Sequence, residues 1–152
     1  MRLVIQRVKY AKVSIDGIVN GQVDKGFMVL FGACEGDTEK EASYLAKKLS
    51  GLRVFEDEEG KMNLSLSDVG GRILSISQFT LYGNCKKGNR PSFVKAMEPV
   101  GAKKLYEFFN SELEKLTETK IETGIFGADM KVELLNDGPV TIIMDTDEMM
   151  KA

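Results

Sequence analysis

The sequence predicts an α+β fold in which a mostly antiparallel or mixed β-sheet is covered by two main amphipathic helices. Segments with the two-residue alternation of β-strands occur at both ends of the chain, and two longer segments have the apolar period of a helix. Glycine-containing turn pairs separate several of these segments. The 152 residues suffice for one domain, which we place at residues 1–145, followed by a polar tail at 146–152.

The first third of the chain has the pattern of a meander of short strands. Residues 2–8 and 11–15 alternate apolar and polar side chains, and the pairs at 16–17 (DG) and 20–21 (NG) are typical of tight turns. Residues 27–32 (FMVLFG) are a continuous apolar run of strand length. Such a run is typical of a strand buried on both faces, so we predict it near the centre of the sheet.

The two predicted helices each carry one apolar stripe. Thr38 and Glu41 stand at the spacing of a capping box, and apolar residues then recur at helical intervals up to Ser50. A second helix is predicted after Pro99. Its stripe comprises Ala102, Leu105, Phe109, Leu113 and Leu116.

The middle and the end of the chain are predicted to form further strands and turns. The acidic run at 56–60 does not match the spacing of a calcium loop, so we interpret it as a solvated turn. In the predicted strand at 72–79, a regular pleat carried on to Thr80 points Gln78 and Thr80 to the same side. The tail from Asp147 is predicted to be frayed. The other predicted elements are strands at 52–55, 122–126, 130–135 and 140–144 and a turn at 136–139.

The composition excludes several classes of function. The sequence has no histidine, which removes the Ser-His-Asp and Cys-His schemes and most catalytic zinc sites. Cys34 and Cys85 are far apart in sequence and are expected to be reduced thiols. We therefore expect neither a metal nor a cofactor. The N-terminal residues lack the features of a secretory signal, and no apolar run approaches a membrane helix, which together favour a cytoplasmic protein without a membrane partner.

A basic cluster lies at residues 86–104, in a chain whose net charge is −2. Such a cluster is either an ordinary solvated face or a surface that meets phosphates, and both interpretations remain open. The overall charge argues against bulk nucleic-acid binding. The predicted phosphate contacts in this cluster are Lys86, Lys87 and Arg90.

Two short motifs place small or polar groups where a buried strand would continue its apolar run: residues 77–81 (SQFTL) and 136–141 (NDGPVT). The turn preferences of Asn, Asp, Gly and Pro alone predict a tight turn for the second motif. Together the two motifs resemble the paired signature of the D-aminoacyl-tRNA deacylase family, also called D-tyrosyl-tRNA deacylases. The resemblance extends over nearly the whole chain, through residues 2–8, 52–57, 61–65, 90–93 (RPSF) and 123–130 (TGIFGADM).

The resemblance implies a homodimer of α+β subunits, barrel-like in the dimer, with active sites at the subunit interface. Members of the family hydrolyse the ester between a D-amino acid and the terminal adenosine of tRNA, and they also accept glycyl-tRNA. In the family the pair that matches Gly138-Pro139 has a cis peptide bond, enters the pocket of the other subunit and rejects L-amino acids. The implied partners are D-aminoacyl-tRNA, glycyl-tRNA and a second subunit, and DNA is not among them.

The same resemblance assigns roles to single residues. From the residues alone, Arg7 could equally be an edge-strand arginine in water, Phe126 and Met130 could be core, and Ser77 could cap a strand end. In the family, the residue at Arg7 helps to hold the Gly-Pro loop. The implied catalytic residues are Gln78, Phe79 and Thr80, and the implied substrate-binding residues are Ser77, Phe126, Met130, Gly138, Pro139 and Arg7.

Hydrolysis requires an attacking water, a place for the oxyanion and a leaving ribose oxygen. We expect the backbone N–H groups of Phe79 and Thr80 to stabilise the oxyanion. The Thr80 hydroxyl could instead be a nucleophile, but it is a poor one without a base, and the sequence has no histidine to activate it. We favour assistance by the substrate's 2′-hydroxyl, with Gln78 and Thr80 orienting the terminal adenosine.

Two other classes of function stay open at this point. A non-catalytic dimeric RNA-binding module would use the basic cluster and would ignore the chirality of the attached amino acid. A general esterase with Thr80 as nucleophile would hydrolyse small activated esters without RNA. Neither calls for Gly138-Pro139, which favours the deacylase.

Overall fold

A computed structural model describes residues 1–150 of the chain. The sheet contains strands of very different length, and one 3₁₀ turn interrupts the chain after the sixth strand. The strands are β1 (Arg2–Ile15), β2 (Ile18–Val23), β3 (Gly26–Gly32), β4 (Arg53–Glu56), β5 (Met62–Ser65), β6 (Arg72–Ser77), β7 (Glu122–Thr123) and β8 (Lys131–Asp145). The helices are α1 (Glu39–Ser50), α2 (Pro99–Thr117) and α3 (Thr146–Met149), and the 3₁₀ turn is Phe79–Tyr82.

Strand β1 organises the sheet because it pairs with three neighbours, all of them antiparallel. Its first half lies between β3 and β8, and its second half lies between β2 and β8. Strand β6 pairs in parallel with β3, and the short β7 pairs in parallel with β6. The hairpin of β4 and β5 forms a separate small sheet, in which β5 was not predicted as a strand. The predicted α+β fold with a mixed sheet and two main helices is confirmed.

The main core lies between one face of the sheet and the two long helices. Phe27, Val29 and Phe31 of β3 are buried in it, which confirms the prediction of a central strand. Phe109 of α2 packs on Phe31, with ring centroids 5.1 Å apart. Of the predicted stripe of α2, Leu116 is exposed, because it lies in the last turn of the helix.

Helix α1 starts where the capping box predicts. The Thr38 N–H donates to Glu41 Oε1 at 2.9 Å, and the Lys40 N–H donates to Thr38 Oγ1 at 3.2 Å. These bonds satisfy N–H groups that have no acceptor within the helix. The predicted helix is therefore confirmed, with Thr38 as its N-cap and Glu39 as its first residue.

The strands at the two ends of the chain are more continuous than predicted. Residues 2–8 and 11–15 belong to the single strand β1, because Tyr10 remains paired with Leu135 of β8. The predicted strand, turn and strand at 130–144 likewise form the single strand β8. Residues 137–140 of β8 lie opposite Arg7 alone, since Thr141 pairs with Gln6 and Asn136 pairs with Val8. The predicted turn is thus a large bulge within a paired strand.

Two predicted strands are shorter than expected, and the tail is more ordered. The strand predicted at 72–79 ends at Ser77, and the one predicted at 122–126 comprises Glu122–Thr123. The prediction that Gln78 and Thr80 share a strand face was therefore wrong. The tail does not fray at Asp147, because it continues as the short helix α3, which begins at Thr146. The Thr146 N–H donates to the Met1 carbonyl at 2.9 Å, which ties this helix to the start of the chain. The last part of the predicted frayed tail, 151–152, lies outside the described residues.

Among residues 1–150, no helix has the length and apolar character needed to cross a membrane.

Candidate active site

The end of β6 and the 3₁₀ turn bring the first motif to the surface beside β3. The Gln78 N–H donates to the Phe31 carbonyl at 2.7 Å, which continues the pairing of β6 with β3 by one residue. The chain then turns, because the Leu81 N–H donates back to the Gln78 carbonyl at 3.2 Å. Across this turn, Gln78 Nε2 donates to Thr80 Oγ1. The two polar side chains therefore meet through the turn and not through a strand face.

The backbone N–H groups of Phe79 and Thr80 lie at the start of the 3₁₀ turn. The first N–H groups of a helical turn have no acceptor within that turn, so they are free to bind an outside acceptor. Both residues are solvent-exposed. The geometry thus provides two neighbouring N–H donors at the site where the sequence predicts an oxyanion hole.

A cavity of about 270 Å³ opens directly beside this turn. The end of β6 forms one side, and the segment 126–130 forms the other. Ala102 of α2 and Phe31 of β3 close the apolar base. The predicted site residues that line the cavity are Ser77, Gln78, Phe79, Phe126 and Met130.

Two glycines shape the segment that carries Phe126 and Met130. A Cβ atom on Gly124 would collide with the sulfur of Met130, so any larger residue there would displace the Met130 side chain. Gly127 has a φ of +80°, which favours glycine, and it lies in the turn closed by the Ala128 N–H on the Ile125 carbonyl at 3.1 Å. The segment therefore leaves the sheet after β7 and folds back over the cavity.

The second motif lies elsewhere on the chain. Gly138 and Pro139 are exposed on the bulge of β8, their peptide bond is cis, and neither lines the cavity of the same chain. The Asn136 side chain closes the base of the bulge by accepting from the Val140 N–H at 2.9 Å. A single chain thus brings together the predicted residues of the first motif and of 126–130, but not Gly138 and Pro139.

Arg7 holds the bulge from inside the sheet. Its side chain is 6% exposed; Nε donates to the Asp137 carbonyl at 2.9 Å and Nη1 donates to the Val54 carbonyl at 2.6 Å. Nη2 lies 4.0 Å from Glu56 Oε1. Of the two interpretations of Arg7, an edge-strand arginine in water is thereby excluded, because the guanidinium is buried and contacts the residue before Gly138.

The predicted phosphate contacts Lys86, Lys87 and Arg90 are exposed on the loop that follows the 3₁₀ turn. None of them belongs to an ion pair within 4.0 Å among residues 1–150. The loop lies against the 3₁₀ turn, because the rings of Phe93 and Phe79 make an edge-to-face contact at 5.1 Å. The loop that carries these charges is therefore packed against the turn that borders the cavity.

Several lining residues were not predicted as site residues. Phe31, Ile76 and Ala102 are apolar residues of a strand or a helix, and the sequence alone predicts such residues to be in the core. Their place in the cavity depends on how α2 crosses the sheet, which the local pattern does not specify. Among the described residues, no group of three or more side chains of the types that bind metals is close enough to hold an ion.

The comparison with known proteins gives the same family as the motifs. The family described as D-Tyr-tRNA(Tyr) deacylase matches residues 4–145. The chain belongs to the D-aminoacyl-tRNA deacylase family. This confirms the family predicted from the sequence. As a member of that family, the protein is a hydrolase that acts on the ester bond of D-aminoacyl-tRNA.

Individual members of the family are similar over nearly their full length. The D-aminoacyl-tRNA deacylase of Thermus aquaticus is 58% identical over 148 residues, which is 97% of each protein. That of Fusobacterium nucleatum subsp. nucleatum is 60% identical over 148 residues, again 97% of each.

Solved structures show the same deacylase fold. One described as the c-Myc DNA Unwinding Element Binding Protein has a TM-score of 0.89 and 42% identity, covering 95% of this chain and 98% of its own. A probable eukaryotic D-amino acid tRNA deacylase has a TM-score of 0.79 over 94% of this chain and 97% of its own. At 16% identity, the latter likeness supports the fold alone.

Proposed function

We propose that this deacylase works as a homodimer, removes D-amino acids and glycine from tRNA, and spares L-aminoacyl-tRNA because Gly138-Pro139 of one subunit enters the cavity of the other. The observation that carries the proposal is a separation within the single chain. The groups that we assign to hydrolysis belong to residues at the end of β6, whereas the second motif is exposed on the bulge of β8 and does not line the cavity there. A second copy of the chain would supply the missing wall.

The edge strand β8 offers the surface for such a dimer. It pairs with β1 along one edge, and its other edge has no partner strand among residues 1–150. Leu135 and Ile143 on this strand are 47% and 66% exposed. An unpaired edge with exposed apolar side chains favours association, and a two-fold dimer would bury the same patch on both subunits. The bulge with Gly138 lies between these two residues.

Discrimination between enantiomers would follow from backbone groups at the bulge. The carbonyl oxygens around Gly138-Pro139 can accept from the substrate's α-ammonium group and leave no space for a side chain of L configuration. A site that rejects by steric exclusion discriminates more strongly than one that only loses a contact. Glycine has no side chain to exclude, so glycyl-tRNA would also be hydrolysed.

The chemistry would proceed without an enzyme-bound intermediate. Water adds to the ester carbonyl, and the resulting oxyanion accepts hydrogen bonds from the N–H groups of Phe79 and Thr80. The bond to the ribose 3′-oxygen then breaks, and that oxygen takes a proton relayed by the adjacent 2′-hydroxyl. Gln78 and Thr80 orient the terminal adenosine. The Thr80 hydroxyl already accepts from Gln78 Nε2, which suits a positioning role better than that of an activated nucleophile.

The tRNA would be held by its phosphates at Lys86, Lys87 and Arg90. Each good lysine or arginine contact to phosphate makes binding more sensitive to salt. One relative is described as a DNA-binding protein, so the binding assay includes single-stranded DNA of matched length beside tRNA. We expect tighter binding of tRNA, and a steep loss of binding as salt rises.

The function is tested by the release of labelled amino acid from D-tyrosyl-, L-tyrosyl- and glycyl-tRNA with purified protein. We expect rapid loss of the D-ester and of glycine, with the L-ester spared. Bound tRNA with all three esters intact would instead support the RNA-binding module. Hydrolysis of all three esters, together with hydrolysis of small activated esters, would support the general esterase.

A further inference from the structure

A second cavity lies on the other side of Phe126 from the proposed active site. It measures about 420 Å³ and is enclosed by α2 on one side and by the segment 123–126 on the other. Phe126 lines both cavities. Tyr106 connects them structurally, since its ring lies 6.2 Å from that of Phe126 and its hydroxyl donates to the Ser75 carbonyl of β6 at 2.6 Å. The two cavities are therefore neighbours that share Phe126 as a wall.

Asn110 is the unusual residue in the wall of this cavity. Its side chain is 7% exposed, and Oδ1 has no hydrogen-bond partner among residues 1–150. A buried polar atom without a partner is unfavourable, and this one belongs to a residue that lines the cavity. The terminal torsion of asparagine is soft, so rotation of the carboxamide is the movement that would bring this buried oxygen to the cavity surface.

The remaining lining residues indicate the chemistry of the ligand. Phe126 lines the cavity together with the largely buried ring of Tyr106, and Ile125, another lining residue, is 52% exposed. The charged residues that line the cavity in the described part of the chain are two acids, Glu107 and Glu114, and one base, Lys103. This excess of negative charge argues against a phosphate inside the cavity. Aromatic walls with one carboxamide suit a planar, uncharged group with a hydrogen-bonding edge. A nucleobase has this character.

We propose that this cavity binds the base of the nucleotide that precedes the terminal adenosine of tRNA. The inference rests on the proposed function, in which the terminal adenosine occupies the neighbouring cavity. The preceding nucleotide is a cytidine in tRNA, and its edge offers both an amino donor and ring acceptors to the Asn110 carboxamide. The amino acid side chain is a poorer occupant, because it differs among substrates whereas one fixed carboxamide suits a ligand that is always the same.

The test compares three D-tyrosyl esters: that of adenosine alone, that of the dinucleotide cytidylyl-adenosine, and that of the same dinucleotide with an abasic first residue. For the wild-type protein we expect the dinucleotide to have a KM about tenfold or more below that of the other two, since base–aromatic stacking alone has an effect of this size. This comparison requires no substitution and does not depend on the folding of a variant.

The matched variants are Asn110→Ala and Asn63→Ala, where Asn63 is an exposed asparagine of the β4–β5 hairpin. We expect Asn110→Ala to raise KM for the dinucleotide ester and to leave the adenosine ester unchanged, and Asn63→Ala to change neither. An equal loss on both esters would mean that Asn110 acts through Tyr106 or through the fold, which contradicts the proposal. An abasic dinucleotide ester with the same KM as the intact dinucleotide ester would also contradict the proposal.

The outcome for tRNA separates this inference from the proposed function. If the wild-type protein hydrolyses D-tyrosyl-tRNA and spares L-tyrosyl-tRNA but is indifferent to the preceding base, the function stands and the base site is refuted. If D-tyrosyl-tRNA itself survives, the proposed function fails and the base site fails with it.

Discussion

At the residue scale, Arg7 connects the sequence most directly to the proposed mechanism. A charged side chain in an apolar strand needs partners, and the sequence alone identifies that need. The partners could not be predicted, because Val54 lies 47 residues away and Asp137 lies 130 residues away. The structure supplies them through the β4–β5 hairpin and the bulge of β8. Arg7 therefore couples the fold to the position of Gly138.

Replacement of Arg7 by methionine is expected to destabilise the protein and loosen the bulge. The change keeps an unbranched apolar stem but leaves the carbonyls of Val54 and Asp137 without their donor, a loss of about 2–4 kcal/mol in unfolding free energy. The D-to-L ratio of hydrolysis rates should fall at the same time. Urea denaturation and the ester panel measure the two effects.

The control for Arg7 is Arg53→Met in the same region of the fold. Arg53 is exposed and its hydrogen bonds go to Asn63 within the hairpin. Its loss should change stability by less than about 0.5–1 kcal/mol and leave selectivity intact. Equal effects of the two substitutions would refute a specific role for Arg7.

Two buried tyrosines form a second matched pair. The Tyr106 hydroxyl donates to the Ser75 carbonyl at 2.6 Å, whereas the buried Tyr82 hydroxyl has no hydrogen-bond partner among residues 1–150. Tyr106→Phe should therefore destabilise the protein by about 1 kcal/mol, and Tyr82→Phe should be neutral or stabilising. Thermal denaturation distinguishes them, and the reverse order would contradict the hydrogen-bond assignment.

The same tyrosines give a pH dependence. Burial raises the pKa of Tyr82 and of Tyr106 above the ordinary tyrosine value of 10.0. Above pH 10 these tyrosines lose their protons in the unfolded chain but keep them in the folded chain. Their contribution to stability is therefore fully present below pH 10 and is lost as the pH rises toward the pKa values of the folded protein. The fall in stability above pH 10 should be shallower in Tyr82→Phe than in the wild type.

At the element scale, the sequence predicted the type of most elements and missed where the functional ones end. The capping box of α1 and the buried strand β3 were predicted correctly, because a local signal specifies each of them. The 3₁₀ turn after Ser77 and the bulge of β8 were missed, since both depend on pairing with distant strands. The motif residues were found by resemblance, but their separation into two places on one chain required the structure.

The position of the 3₁₀ turn depends on a glycine of β3. A Cβ atom on Gly32 would lie 3.1 Å from Leu81 Cβ and 3.2 Å from the Gln78 carbonyl oxygen, closer than ordinary contacts. Gly32→Ala should therefore push the turn away from the sheet and misplace the N–H groups of Phe79 and Thr80. We expect kcat for D-tyrosyl-tRNA to fall roughly 10- to 100-fold, because small displacements of catalytic groups are costly.

Gly51→Ala is the control for this prediction. Gly51 has a φ of −97°, and a Cβ atom there would meet Lys47 O at an ordinary 3.6 Å. It should leave kcat unchanged. Unaltered kcat in Gly32→Ala as well would show that the turn does not need its packing on β3.

At the scale of the whole molecule, we propose that the dimer forms at the edge of β8 that has no partner strand among residues 1–150. Ile143 is 66% exposed in the single chain, so Ile143→Glu should leave the fold of the subunit intact. A charge in a buried dimer interface is unfavourable, and the variant should sediment as a monomer and lose D-tyrosyl-tRNA hydrolysis. The control is Leu116→Glu, on the last turn of α2, where Leu116 is 44% exposed. This variant should remain a dimer and should still hydrolyse D-tyrosyl-tRNA. A dimeric and active Ile143→Glu variant would locate the interface elsewhere.

The most direct measurement of the central claim, that each site is built from two subunits, is the activity of mixed dimers. Ser77→Phe places a bulky side chain in the cavity of its own subunit, and Gly138→Val distorts the loop that we propose to enter the partner's cavity, since a Cβ atom on Gly138 would lie 2.8 Å from Val140 Cγ2. Each variant alone should be inactive toward D-tyrosyl-tRNA. After the two are unfolded together and refolded as an equal mixture, about a quarter of the sites combine an intact cavity with an intact loop, so about a quarter of the wild-type activity should return. A mixture as inactive as its components would show that Gly138-Pro139 serves the cavity of its own chain and would contradict the account.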